Sequence, residues 1–139
     1  MPAGYMNTQL VGQVLKRVTT RAYASRMADL EQLLGTKSAA EVARVGLFFG
    51  VTIGRDLEVP RMLGMEMTRT LMKSHEMEWT RPFTPDEPVE VTVSLTEIID
   101  KPDREIAVVD SVFSTPAGEE IQRQRSTFVV FKPSPAAGA

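Results

Sequence analysis

The chain has 139 residues, of which 42% are hydrophobic and 24% charged, and its formal net charge is −2. This length and composition predict one globular domain and exclude a disordered chain. The low charge provides no basic surface for nucleic acid, and no apolar run approaches the roughly 20 residues of a membrane-spanning helix. The sequence contains no cysteine and one histidine, His75. Disulfides, thiolate nucleophiles and metal sites built from several cysteines or histidines are therefore excluded.

The N-terminal residues lack the basic segment followed by an apolar segment that marks a signal peptide. The absence of cysteine also suits a reducing compartment. We therefore expect a cytoplasmic protein with no membrane or nucleic-acid partner.

The first part of the chain is predicted to be mainly helical. Residues 11–15 predict a short strand or an extended arm. A helix capped by Thr19 or Thr20 is expected to run to about Leu34, with apolar side chains on one face, and to end at Gly35.

A second helix is predicted from a capping box, in which the Ser38 hydroxyl and the Glu41 carboxylate satisfy backbone donors at the helix start. The helix is expected to reach about Gly54, and it is apolar on most of its circumference, a pattern that indicates burial. Gly46, Gly50 and Gly54 fall on one stripe of this helix. Each interior glycine costs about 1 kcal/mol relative to alanine. We therefore expect close approach of the sheet, of a second subunit's helix or of a ligand.

Four segments rich in β-forming residues follow, at about residues 66–81, 89–99, 105–114 and 120–132, separated by compact turns. Helices followed by a run of antiparallel strands predict an α+β domain whose sheet packs against the buried helix. The tail, residues 133–139, is rich in proline, alanine and glycine and is expected to fray. We therefore predict a single domain over residues 1–139, with an ordered core of about residues 10–132.

The segment His75-Glu76-Met77-Glu78-Trp79-Thr80-Arg81-Pro82-Phe83 resembles part of the MaoC-like dehydratases. In that family a strand ends at an aromatic residue, a basic residue and proline, before a Gly-Asp turn. The last strand, which ends in Val129-Val130-Phe131, is similar to the same family. The resemblance covers about residues 10–132 and is greatest to N-terminal dehydratase domains of the fatty-acid-synthase type, a group that includes the paired subunits of mycobacterial hydroxyacyl dehydratases. It implies the hotdog fold, in which a curved antiparallel sheet wraps round a central helix.

Two features depart from the family's pattern. The expected Gly-Asp turn is replaced by Thr84-Pro85-Asp86-Glu87-Pro88, which contains no glycine. Catalytic members also carry an aspartate and, about five residues later, a histidine in a loop before the central helix. Asp29 matches the aspartate, but the histidine has no counterpart. Hydration of an enoyl thioester needs both a base for the water and an acid for the α-carbon, so the known catalytic pair is incomplete.

The resemblance implies hydration or dehydration of 3-hydroxyacyl and enoyl thioesters, with the acyl group carried on coenzyme A or on the phosphopantetheine of an acyl carrier protein. It implies neither a metal nor a further cofactor. The chain would act as a homodimer, or as a heterodimer with a second MaoC-like subunit, in which it could be the non-catalytic partner. His75 and Asp29 are the candidate catalytic residues. The candidate substrate-binding residues are Phe49, Gly50, Trp79, Arg81, Arg123 and Arg125.

Each candidate also has a plainer interpretation. His75 could be a structural histidine, Asp29 could lie on a solvated helix face, and the glycine stripe could serve packing alone. Trp79 is also typical of a core or interface position. The two arginines of the last strand could meet phosphates through their planar guanidinium groups, or could simply be solvated.

Three other assignments remain open at this point. A hotdog thioesterase would activate water through Asp29, Glu41 or His75. A non-enzymatic acyl-binding module would need none of these groups. A cone-shaped α+β fold of the polyketide-cyclase type has a similar length and also places helices before strands.

Overall fold

Five antiparallel strands form one sheet in the order β1-β3-β4-β5-β2. The computed structural model describes residues 8–133, so the predicted tail, apart from Pro133, lies outside the described residues. The sheet confirms the α+β prediction, and all four predicted strand segments are present. The strands are β1 Val14–Arg21, β2 Thr70–Trp79, β3 Pro88–Asp100, β4 Arg104–Ser114 and β5 Glu120–Phe131.

The helices lie between the first two strands in sequence. Phe49 separates α2 from α3 but keeps helical angles, with φ −56° and ψ −28°. We therefore call residues 39–53 the central helix, which ends one residue before the predicted Gly54. The helices are α1 Ala24–Leu34, α2 Ala39–Phe48, α3 Gly50–Ile53 and α4 Val59–Met62, with short 3-10 turns at Thr8–Leu10, Asp56–Glu58 and Met67–Arg69.

The predicted start of the first helix is wrong. Thr19 and Thr20 lie in β1, where they pair with Glu90 and Val89 of β3. Their branched side chains favour a strand, and exposure alternates along β1 as it does in a half-buried strand. The predicted strand at residues 11–15 likewise begins later, at Val14.

The start of α1 is capped from a distant part of the chain. The helix begins at Ala24, whose backbone N–H donates to Asp86 Oδ1 at 2.9 Å, while Tyr23 at the N-cap position makes no capping bond through its side chain. Because the cap is supplied by the turn before β3, local sequence does not mark this boundary.

The other helix boundaries agree with the prediction. Gly35 ends α1 in the left-handed conformation, with φ 67° and ψ 35°. Ser38 Oγ accepts from Glu41 N at 3.2 Å, as a capping box requires. The Glu41 carboxylate accepts from Lys37 N at 3.0 Å, one residue before the expected donor.

The core lies between the central helix and the inner, concave face of the sheet. Val89, Val91, Val93 and Leu95 alternate along β3 and are fully buried, which is the period of two of a strand with one face in the core. Phe83 joins the helix to the sheet, because its ring makes edge contacts with Phe49 and Phe113 at centroid distances of 6.2 and 6.0 Å.

Candidate active site

The central helix approaches the sheet closely along its glycine stripe. A Cβ added at Gly46 would lie 3.0 Å from Pro82 Cβ, and one added at Gly50 would lie 2.1 Å from Gln122 Oε1. The loop between β2 and β3 therefore covers Gly46, and strand β5 covers Gly50, as the packing interpretation expects. Gly50, a predicted substrate-binding residue, is buried against glutamine side chains of β5.

A row of polar side chains lies on the inner face of β5, beneath the central helix. Gln122, Gln124 and Ser126 alternate along the strand and are buried. Gln122 Nε2 donates to the Leu47 carbonyl at 2.7 Å, and Gln124 Nε2 donates to Gln122 Oε1 at 2.6 Å. Buried amides are costly unless they are hydrogen-bonded. The bond from Gln122 to Leu47 therefore holds the central helix in position relative to β5.

His75 lies at the end of this row, on the neighbouring strand β2. Its Nδ1 is 2.9 Å from Ser126 Oγ, and Ser126 Oγ donates to Asp56 Oδ2 at 2.5 Å. Asp56 follows the central helix in a 3-10 turn and is buried. The direct separation of His75 Nδ1 and Asp56 Oδ2 is 3.5 Å. Three separate elements thus assemble a carboxylate, a hydroxyl and the chain's one imidazole.

Asp29 lies elsewhere, in a groove between α1 and the central helix. The groove has a volume of about 250 Å³. Its lining is mostly apolar and includes the buried ring of Phe49, so two predicted site residues meet here. The carboxylate of Asp29 is near no imidazole, because the chain's one histidine is bound to Ser126. The lining residues are Arg26, Asp29, Leu30, Leu33, Phe49 and Thr52.

Arg81 stabilises the turn between β2 and β3 through hydrogen bonds. Its guanidinium donates to both carboxylate oxygens of Glu87, at 2.7 and 2.9 Å, and to Glu119 at 2.7 Å. The hydrogen bonds from Arg81 hold the pKa of Glu87 below its usual range. In the same turn, Asp86 has φ 64°, so it takes the left-handed conformation that favours glycine. This explains how the turn forms without the family's glycine.

No protein-family model matches the sequence, and no curated protein matches it. Solved structures do match its fold. A MaoC-like dehydratase from Rhodospirillum rubrum superposes with a TM-score of 0.65 at 21% identity, over 94% of this chain and 99% of that chain. The C-terminally truncated HadBC (3R-hydroxyacyl-ACP dehydratase) complex from Mycobacterium tuberculosis superposes with a TM-score of 0.69 at 12% identity, over 88% of this chain and 98% of that chain. This chain has the hotdog fold of MaoC-like dehydratases. The R-hydratase PhaJ1 from Pseudomonas aeruginosa superposes with a TM-score of 0.63 at 15% identity, over 88% of this chain and 83% of that chain.

In this hotdog domain, Arg123 and Arg125, the arginines predicted to bind phosphate, lie on the outer, convex face of the sheet. Arg125 donates to both oxygens of Asp110 at 2.8 and 3.0 Å, and these bonds lower the pKa of Asp110. Arg123 pairs with Glu120 at 2.9 Å. The exposed Glu76 and Glu78 share this face, because residues two apart on a strand point to the same side, and they line a depression of about 190 Å³ beside both arginines.

The structure thus places the predicted site residues in separate parts of the hotdog domain. His75 lies beneath the end of the central helix, Asp29 and Phe49 line the α1 groove, and the arginines of β5 lie on the convex face. Trp79 is at the end of edge strand β2 and is 42% exposed.

Sequence reasoning missed the polar residues that surround His75. The only available signal was the alternation of Gln122, Gln124 and Ser126, three polar residues on the face of β5 opposite its arginines. Asp56 carried no signal of its own, because it follows a helix end where acidic residues are usually solvated.

Within residues 8–133, no group of three or more histidine, aspartate or glutamate side chains could hold a metal ion. Within the same range, no helix has the length and apolar character needed to cross a membrane.

Proposed function

We propose that this chain is a MaoC-like hotdog subunit that binds acyl thioesters and acts in the hydration of enoyl thioesters or the dehydration of 3-hydroxyacyl thioesters. The acyl group would be carried on coenzyme A or on the phosphopantetheine of an acyl carrier protein. Fold alone does not imply function, so the proposal rests on the groove between α1 and the central helix.

The groove suits an acyl chain because most of its lining is apolar. Leu33 is 81% exposed, and covering a leucine of this kind contributes about 1.5–3 kcal/mol. Phe49 provides a buried aromatic wall on the other side. Asp29, which the sequence resemblance matches to the family's catalytic aspartate, supplies the one carboxylate of the lining.

A second hotdog chain is part of this proposal. Strand β2 is an edge of the sheet, and it exposes Leu71 and Met72 together with Trp79. An uncovered edge with apolar side chains favours pairing with another strand. The HadBC structure is that of a complex, and in our proposal a comparable partner supplies the aspartate–histidine pair that this chain lacks around Asp29.

Binding and turnover of acyl-CoA test the proposal. The purified chain, alone and with a MaoC-like partner chain, is titrated with octanoyl-CoA and with coenzyme A, and hydration of crotonyl-CoA is followed by loss of its conjugated absorbance. We expect octanoyl-CoA to bind more tightly than coenzyme A. Equal affinity for both, or no binding by either preparation, contradicts the proposal.

Two exposed leucines provide a matched pair of variants for the groove. Leu33→Lys introduces a charge into the lining, so we expect octanoyl-CoA to bind about tenfold more weakly, equivalent to about 1.4 kcal/mol. Leu57→Lys changes a leucine that is 70% exposed and lies outside that lining, and should leave the affinity unchanged. Equal effects of the two variants would place the acyl chain elsewhere.

A thioesterase is the second candidate, favoured by the single carboxylate of Asp29 in the groove. Glu41 is less available for this role, because its carboxylate caps the backbone of Lys37. A thiol reagent added to the same assays distinguishes the reactions. Release of free coenzyme A that is abolished by Asp29→Asn would favour the thioesterase over the hydratase.

A further inference from the structure

A second groove lies beside the same two helices as the groove that contains Asp29. It has a volume of about 260 Å³, and the surface that it offers is almost wholly apolar. We call it the distal groove, and its lining residues are Leu34, Thr36, Glu41, Arg44 and Val45.

The two grooves follow one another along the helix pair. Phe49 lines the first groove and Val45 the distal groove, and both are buried. They are four residues apart, so they occupy successive turns of the central helix, about 6 Å from each other. On α1 the lining passes from Leu33 to the next residue, Leu34, and these side chains are 81% and 61% exposed. Adjacent exposed leucines of this kind mark a surface that binds an apolar group.

The polar side chains around the distal groove are engaged in hydrogen bonds at helix ends. Thr36 Oγ1 donates to the Glu31 carbonyl at 3.0 Å, and the Glu41 carboxylate accepts from Lys37 N at 3.0 Å. The guanidinium of Arg44 belongs to an exposed residue, so it can remain in water. A polar ligand would lose its hydration in this groove with little compensation, and the lining therefore favours hydrocarbon.

The size of the two grooves indicates the length of the hydrocarbon. A methylene group takes up about as much space as a water molecule, roughly 30 Å³. Grooves of about 250 and 260 Å³ therefore each hold at most about eight such groups. From Thr52 to Glu41 the grooves follow about 17 Å of the central helix, a distance between the extended lengths of dodecanoyl and hexadecanoyl chains.

We propose that this protein selects acyl thioesters of dodecanoyl to hexadecanoyl length, with the far half of the acyl chain in the distal groove. This inference rests on the proposed function, in which the groove of Asp29 binds the acyl thioester. Leu34 and Val45 are then residues that determine specificity for chain length. A shorter acyl chain occupies the first groove alone and leaves Leu34 exposed.

A series of acyl-CoA esters tests the selectivity. The full chain is titrated with butyryl-, octanoyl- and dodecanoyl-CoA, each below the concentration at which it forms micelles. Complete burial of one methylene raises affinity about fourfold, so an open groove that covers half of its surface raises affinity about twofold. Dodecanoyl-CoA, which has four more methylenes, should bind about 10- to 20-fold more tightly than octanoyl-CoA. Equal affinity for these two esters overturns the inference.

Two exposed residues provide matched variants for the distal groove. Leu34→Lys places a charge in its lining, in the last turn of α1, where a cation is compatible with the helix. It should weaken dodecanoyl-CoA about tenfold and leave octanoyl-CoA unchanged. Val42→Lys adds the same charge at a residue that is 43% exposed and outside both linings, and should change neither affinity. A Leu34→Lys variant that weakens both esters alike, or neither, contradicts the inference.

The alternative occupant of the distal groove is a second copy of this chain. Sedimentation velocity of the intact chain and of Leu34→Lys distinguishes it from an acyl chain. We expect the same oligomeric state for both proteins. A dimer of the intact chain that dissociates in Leu34→Lys would assign the groove to a subunit contact and overturn the inference.

The two proposals fail in different ways. If octanoyl-CoA binds more tightly than coenzyme A but dodecanoyl-CoA binds no more tightly than octanoyl-CoA, the selectivity for long chains is overturned and the proposed function stands. If no acyl-CoA ester binds more tightly than coenzyme A, both proposals fail.

Discussion

The inner face of the sheet has two unlike halves beneath one central helix. On β3 and the adjoining part of β4 it is mostly apolar, with fully buried valines and Phe113, and with Ser111 as the buried polar residue between Val109 and Phe113. On β5 it is polar from Gln122 to Ser126, and on β2 it continues to His75. The first half stabilises the fold by removing apolar area from water. This effect is non-directional, so it does not require particular side-chain orientations. The second half is held by directional hydrogen bonds, each of which fixes a particular side chain.

The difference shows that the two halves of the core are stabilised in different ways. A core needs only apolar side chains of suitable volume, whereas a buried run of glutamine, serine, aspartate and histidine is costly unless its members are hydrogen-bonded. The glycine at position 50 makes room for that polar run. Substitutions in the two halves should therefore have different consequences.

The largest loss of stability is expected in the apolar half. Phe113→Ala removes a fully buried ring that packs against Phe83, and should lower the free energy of unfolding by about 3–5 kcal/mol. Urea denaturation measures this loss. The chemical shifts of the His75 ring, which report its hydrogen bond to Ser126, should be unchanged, and a change would mean that the two halves are not independent.

A smaller loss is expected at the contact between the helix and the polar half. Gly50→Ala gains about 1 kcal/mol of helix propensity, but its Cβ would lie 2.1 Å from Gln122 Oε1. We expect a net loss of about 1–3 kcal/mol from overpacking.

A double-mutant cycle with Gln122→Ala tests whether this clash is the cause. Shortening the glutamine makes room for the new methyl group, so the double variant should lose less stability than the sum of the single variants. Additive losses would show that the destabilisation by Gly50→Ala does not come from a clash with the Gln122 side chain.

The smallest effect is expected outside both halves, at Arg81, and it should depend on pH. Arg81 depresses the pKa of Glu87, so this pair stabilises the fold above the unfolded pKa of about 4.3 and the stabilisation is lost as pH falls through the folded pKa. Arg81→Met should cost about 1–2 kcal/mol at neutral pH.

Denaturation at several pH values checks this prediction. The difference between the original chain and Arg81→Met should shrink as the solution is acidified below pH ~4. A difference that stays constant with pH would assign the effect of Arg81 to packing of its stem. Glu87→Gln is the matched control, because it removes the titrating group itself.

The apolar half of the core could be predicted from sequence, whereas the polar half could not. Val89, Val91 and Val93 show their period of two within a few residues, and the capping box at Ser38 is equally local. Asp56, Ser126 and His75 are far apart in sequence and meet only through the pairing of β2 with β5 and the end of the central helix.

Two errors at the first helix have the same cause. The strand at Thr19 and Thr20 is stabilised by pairing with β3, and the start of α1 is capped by Asp86 across the fold. Both are long-range interactions that override local signals. The resemblance to MaoC-like dehydratases predicted the hotdog fold correctly. It rested on the strand-to-turn pattern around Arg81 and Pro82, which is visible in a short stretch of sequence.

The affinity of octanoyl-CoA for the intact chain, for Leu33→Lys and for Leu57→Lys tests the central claim most directly. Leu33 lines the groove between α1 and the central helix, whereas Leu57 lies outside that lining. The account predicts that Leu33→Lys binds octanoyl-CoA about tenfold more weakly than the intact chain does, while Leu57→Lys binds it with unchanged affinity. Equal affinities of the intact chain and Leu33→Lys would contradict it.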